Sequence, residues 1–182
     1  MIIPYEVKED FIEGQYIFAF SSIHCEYYVY FEPLKTLLED GVSVLYYLEQ
    51  NGYFFGFASY DEEEYVLKKK ERPFEIDKRI ATTICNIIRT FFKRFSTVVL
   101  IYYCDPIDNK QASRHRLFKK WDEIYCSDLI AYRIDTMLRV EDDMHFLGCF
   151  AFCSEGETDI VKEQFFKFAE LKVPEDKRSQ KV

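Results

Sequence analysis

A chain of 182 residues with 48 % hydrophobic content has enough apolar material for one well-buried core and too little for two independent domains. Its formal net charge of −8 excludes general attraction to nucleic acid or anionic lipid, so either would need a local basic face. The 18 Phe and 14 Tyr favour pleated surfaces, while only six Gly and five Pro argue against a loop-rich chain.

In chain order, MIIPYEVKEDF has neither a basic leader nor a long apolar stretch, and no later run reaches the ~18 apolar residues that a bilayer span needs. Neither secretion nor membrane insertion is expected. QYIFAFSS sets Tyr16, Phe18 and Phe20 on one face and CEYYVYFEP sets Cys25, Tyr27, Val29 and Phe31 on one face. The pair predicts a hairpin with its turn at Ser21 to His24. LKTLLEDG predicts one or two helical turns stopped at Gly41. VSVLYYLEQ and YFFGFAS flank Asn51-Gly52, a hairpin signal, which predicts two further antiparallel strands.

After the connector DEEEYVLKKKERP the period changes from two to 3.6. Ile76, Ile80, Ile84, Ile87, Ile88, Phe91 and Phe95 form one stripe along a helix of about 30 Å. Asp77 at its start and Arg89, Lys93 and Arg94 near its end suit the helix dipole. TVVLIYYC reads as a central strand covered on both faces. A helix over Asn109 to Glu123, strands over Leu129 to Val140 and Met144 to Cys153, and a helix over Glu157 to Leu171 complete the pattern. The fold class is α+β, a mostly antiparallel mixed sheet with helices packed on it and the order β-β-β-β-α-β-α-β-β-α. Residues 1–172 are expected to form a single domain and residues 173–182 a frayed tail.

The stretch CDPIDNKQASRHRLFKKW carries five Lys or Arg and no acid between Asn109 and Trp121. At about 100° per residue, Leu117, Phe118, Trp121, Ile124 and Tyr125 share an arc with Arg114, whereas Arg116, Lys119 and Lys120 lie outside it as a basic face. A guanidinium among apolar neighbours needs a partner. Asp105 and Asp108 are near in sequence, and Asp108 also suits the helix N-cap. The two readings of Arg114 are a structural strut paired to Asp105 or another carboxylate, and a bound-anion contact helped by helix N-terminal amides. With Cys104, Lys110 and Trp121, these residues form the candidate binding or structural site.

Together, TTICNIIRTFF, VVLIYYCDPIDNKQASRHRLFKKW and the YIFAF…EYYVYF hairpin resemble an uncharacterised bacterial domain family of unknown function. Its members follow an I-x-x-T-I-x-x-I-I-x-x-F-F helix with the signature C-D-x-x-D-G-[RK]-x-x-x-R-x-R-x-F-x-x-W. Cys104, Asp105, Asp108, Lys110, Arg114, Arg116, Phe118 and Trp121 fit it, and Asn109 replaces the Gly, a residue that also tolerates left-handed backbone. The resemblance spans roughly Gln15 to Ala169 and implies a fold but no activity. By element order the chain also resembles acetyltransferases of the GNAT type. That likeness implies a glycine-rich loop cradling acyl-CoA pyrophosphate, where this chain has KKKERPFEIDKRI, without glycine and with Glu75 and Asp77 in the phosphate position.

No catalytic set assembles. His24, His115 and His145 lack metal-helix spacing and read as turn, surface or strand residues, while Cys104 reads as a core thiol more readily than as a nucleophile. DEEEY and EDDM read as solvated turns, so no metal or cofactor is expected. Cys25, Cys85, Cys104, Cys126, Cys149 and Cys153 have no CxxC spacing, which predicts a reducing, cytoplasmic compartment. The expectation is a non-catalytic protein-binding module, adapter or inhibitor-like, whose acidic surface meets a basic partner protein. The alternatives are a degenerate GNAT-like acyltransferase and, third, nucleic-acid or anion binding through the 109–123 helix.

Overall fold

The computed structural model describes residues 2–22, 25–36, 45–60, 77–95, 97–104, 106, 109–123, 132–140 and 143–171. Seven strands form one mixed sheet: β1 (Lys8–Ile12), β2 (Gln15–Ser21), β3 (Glu26–Pro33), β4 (Gly52–Tyr60), β5 (Val98–Cys104), β6 (Tyr132–Val140) and β7 (Asp143–Phe152). Their spatial order is β1-β2-β3-β4-β5-β7-β6. Helices α1 (Tyr46–Asn51), α2 (Lys78–Arg94), α3 (Gln111–Trp121) and α4 (Thr158–Leu171) cover the two faces. The fold is α+β, as the pattern predicts, and no described helix is long and apolar enough to cross a membrane.

The alternation in QYIFAFS and EYYVYFEP gives the expected hairpin, with Phe18 opposite Val29 and Tyr16 opposite Phe31. Phe18, Phe20, Val29 and Phe31 are buried beneath α2. Its apolar stripe, Ile84, Ile87, Ile88 and Phe91, meets them, and the Phe31 and Phe91 rings stack at 4.1 Å. Asp77 caps α2 by accepting from the Arg79 amide at 2.8 Å, and its other oxygen accepts from the Tyr5 hydroxyl at 2.6 Å. β5 is buried at every position except Tyr103. It lies antiparallel to β7 and parallel to β4, but the β4 pairing covers only Gly52–Phe54 against Val99–Ile101.

Two expectations fail in the first third of the chain. Residues 46–51 are helix, so YYLEQ does not form the predicted strand, and Asn51-Gly52 joins a helix to a strand instead of turning a hairpin. The cause is a close approach. A Cβ at Gly52 would lie 2.3 Å from both Leu34 Cδ1 and the Leu48 carbonyl, so glycine lets α1 press on β4. The α1 amides of Tyr47 and Leu48 donate to Oε1 of Gln164, a buried α4 residue more than 100 positions away. No local reading finds such a cap. The fourth strand of this region is β1, whose residues are all exposed and show no alternation. Glu13 and Gly14, with φ of 52° and 88°, turn it into β2.

Leu34–Thr36 forms a 3-10 turn where helical turns are expected, while residues 37–44, with Gly41, lie outside the described residues. The expected tail, residues 173–182, lies outside them too.

Candidate functional site

Helix α3 carries the site. Asn109 adopts φ 57°, the left-handed conformation its side chain tolerates, and its amide closes a turn onto the Pro106 carbonyl at 2.8 Å. The N-cap position falls on Lys110, which makes no side-chain cap bond. Asp105 and Asp108 lie outside the described residues, and the expected Asp108 cap and the pairing of Arg114 to either carboxylate lie there with them.

The inner face of α3 is anchored by aromatic rings. Phe118 stacks on Tyr102 of β5 at 4.2 Å and meets Phe55 edge-on at 5.7 Å. Trp121, 7 % exposed, packs on Phe57 at 5.5 Å. Both aromatics are therefore core anchors and unavailable for stacking on bases. Leu117 and Arg114 are half-buried, whereas Lys110, Arg116, Lys119 and Lys120 are exposed. Arg116 donates to Ser113 Oγ at 3.1 Å along the outer surface. The helix thus separates its cations as the arc predicts, with Arg114 at the margin of the apolar face.

Cys104 ends β5 fully buried. Burial pushes its thiol up to about 12, against the nearby charge of Arg114, so the sulfur stays protonated at neutral pH and lacks the thiolate a nucleophile needs.

A second polar constellation, unanticipated from the sequence, lies where α3 meets β6. Tyr102, Gly148 and Asp135 form one row across β5, β7 and β6. A Cβ at Gly148 would stand 2.2 Å from the Tyr102 hydroxyl, so glycine lets the Tyr102 ring lean over β7 towards β6. There Asp135 is gripped at both oxygens: His115 Nε2 lies 3.2 Å from Oδ2 and Arg133 Nη2 lies 3.1 Å from Oδ1. The His115 ring rests on Phe146 at 5.1 Å.

Burial holds His115 below the ordinary imidazole range, outweighing the charge of Asp135, and the Arg133 charge works in the same direction as burial. His115 is therefore neutral at neutral pH, and its Nε2–H faces the carboxylate. Burial also pushes the Tyr102 hydroxyl up to about 12, opposed by Arg133. Asp122, at the end of α3, is raised by burial with Arg133 again opposing. A neutral imidazole, a guanidinium and a carboxylate so arranged fasten α3 to β6 across β7.

The sequence pattern treats His115 as a surface residue because the helical arc is drawn on apolar positions. The available signal is that His115 lies three residues before Phe118, on the same side of the helix, and that β6 alternates Arg133 and Asp135 on one face. His145 pairs elsewhere, its Nδ1 meeting the Tyr103 hydroxyl.

No curated protein matches the chain at a significant level, and no solved structure does. A family model does match residues 76–167, the segment from α2 into α4 that holds α3 and the Asp135 constellation and excludes β1–β4. With just over half of its length matched, the chain belongs to the family of unknown function DUF6169.

Proposed function

We propose that this protein is a non-catalytic binding module that engages an acidic segment of a partner protein through the outer face of α3. One observation carries the reading: Arg116, Lys119 and Lys120 are exposed together on a helix whose opposite side is fastened by Phe118, Trp121 and His115. A basic face held rigid by its own core loses little freedom on binding. In a chain of net charge −8, it is also the local exception that steers an acidic partner to one place. The protonated Cys104 thiol and the occupied His115 support binding over catalysis. A cytoplasmic location belongs to the same proposal, since the free thiols of Cys25, Cys85, Cys104, Cys149 and Cys153 suit a reducing compartment.

Fluorescence anisotropy tests it with a labelled polyglutamate peptide and, in parallel, a labelled single-stranded oligonucleotide. The peptide should bind more tightly and weaken as salt rises. Saturable binding of the oligonucleotide alone would transfer the face to nucleic acid, and no binding of either would remove the proposal.

A degenerate GNAT-like acyltransferase remains the second reading, favoured by the short β4–β5 pairing. Beyond Phe54 and Ile101 the parallel strands no longer pair, which leaves the β4 edge from Phe55 without a β5 partner. Against it, the N-terminus of α2 already holds the Asp77 carboxylate on its Arg79 amide, where a pyrophosphate would need to sit. Calorimetry with acetyl-CoA should give no saturable heat. Micromolar binding abolished by mutating Lys70 or Arg72 would promote this reading over the first.

A further inference from the structure

The sheet has two edges, and they differ. β1 is five residues long, its Glu9 is held by Arg94 of α2, and Asp10 adds a second acid beside it. β6 is nine residues long, contains neither Pro nor Gly, and pairs with β7 without interruption from Tyr132 opposite Ala151 to Val140 opposite Asp143. Among the described residues its outer edge has no strand partner. Natural edges of this length are commonly blunted by a bulge, a proline or charged side chains. β6 has no bulge or proline, its charges alternate in sign at Arg133, Asp135 and Arg139, and Met137, one residue past its midpoint, is 54 % exposed.

We propose that β6 is a self-association surface, where two copies of the chain join by antiparallel pairing centred on Met137. The choice of register follows from the charges. Arg133, Asp135, Met137 and Arg139 alternate onto the face that carries α3. With Met137 at the two-fold axis, each Asp135 stands opposite Arg139 of the second copy, and the two Met137 side chains meet between them. On the other face Ile134 stands opposite Val140 and Thr136 opposite Leu138, all half-buried positions that gain apolar cover.

Neighbouring registers are worse. Centring on Thr136 sets Arg133 against Arg139, and centring on Asp135 sets two carboxylates face to face, both penalised as direct cross-strand pairs. Asp135 can accept the added cation because its side chain remains 41 % exposed while it holds His115 and Arg133. Among the described residues the edge is clear for approach, since α3 lies over β5 and β7 and α4 covers β6 on the opposite face. The two-fold axis stands perpendicular to the sheet, so both α3 helices share one face of the continuous sheet.

Sedimentation velocity on the full chain, from micromolar to near-millimolar concentration, should reveal a species of twice the 21.9 kDa chain mass. Met137→Lys, which places two ammonium groups at the axis, and Arg139→Glu, which sets a carboxylate against Asp135, should each return the protein to monomer. Both positions are exposed, and circular dichroism checks that the fold persists; if one variant unfolds, the other decides. Met137→Cys fixes the register, because only a residue at the two-fold meets its own copy closely enough for a disulfide. Mild oxidation should give covalent dimer well above the wild-type background. A wild type that stays monomeric, a folded charge variant that stays dimeric, or Met137→Cys that cross-links no more than wild type would overturn the proposal.

Discussion

Asp135→Ala tests whether the constellation beneath α3 is what fastens the helix to β6. The substitution removes the acceptor facing His115 Nε2 and the carboxylate that forms the ion pair with Arg133. The guanidinium is left in a site where its side chain is only 12 % exposed. Breaking a fully buried ion pair by removing one partner costs ~3–5 kcal/mol, and an exposed pair contributes ~0–1 kcal/mol. Asp135 is 41 % exposed, so the loss should fall between those limits, at about 1–3 kcal/mol. In a domain of this size that is a fall in Tm of roughly 3–9 °C.

Urea unfolding followed by the fluorescence of the single Trp, Trp121, provides the assay and reports directly on α3. A double-mutant cycle with His115→Phe should yield a favourable coupling of at least ~0.5 kcal/mol, since the two residues are in contact. A stability loss below ~0.5 kcal/mol with no coupling would show that solvent already serves these groups and that aromatic packing alone holds the helix.

Trp121→Ala should cost about 3–5 kcal/mol, read from the urea midpoint by circular dichroism, because it opens a cavity against Phe57 and Phe118. Gly148→Ala should cost ~1–3 kcal/mol by driving a methyl into the Tyr102 ring, and Tyr102→Leu in the same chain should recover part of that loss in the same melt. The pH dependence has a definite sign. The folded-state pKa of His115 lies below its unfolded value of about 6.5, so the unfolded chain takes up the proton first. Its stability contribution is complete above that pH and is lost as pH falls towards the folded value. Glu9 and Glu157 are lowered too and act in the same sense below the ordinary glutamate value of 4.5, while Asp122, raised above the ordinary aspartate value of 3.8, acts in the opposite sense. Urea midpoints should therefore fall between pH 7 and ~5 in the wild type and stay flatter in His115→Phe, a comparison that isolates the imidazole.

Much of this architecture is legible in the residues because it depends on period. The alternation of Tyr16, Phe18 and Phe20 and the stripe of Ile84, Ile88 and Phe91 produce the elements they predict. The same holds for α3, where the split between Phe118 and Trp121 inside and Arg116, Lys119 and Lys120 outside follows from angle alone. What escapes is non-local. The α1 helix depends on a glutamine supplied by α4 and on glycine packing at Gly52, so a segment with strand-like composition becomes helix. β1 escapes because an edge strand exposed along its length needs no alternation. The His115 and Asp135 pair escapes because its partners come together only when β6 is placed beside β7 and α3 above them.

The central claim is that the two sides of α3 do different work, and one variant tests both halves at once. Arg116, Lys119 and Lys120 are changed together to Gln, and the variant is measured by urea unfolding and by anisotropy with the polyglutamate peptide. Exposed charges contribute little to folding, so stability should move by no more than about 1 kcal/mol. Peptide affinity should fall at least about tenfold, ~1.4 kcal/mol, with the residual binding less sensitive to salt. Unchanged affinity in a folded variant would contradict the account, because the outward cations would then be a solvated surface and the binding face would lie elsewhere.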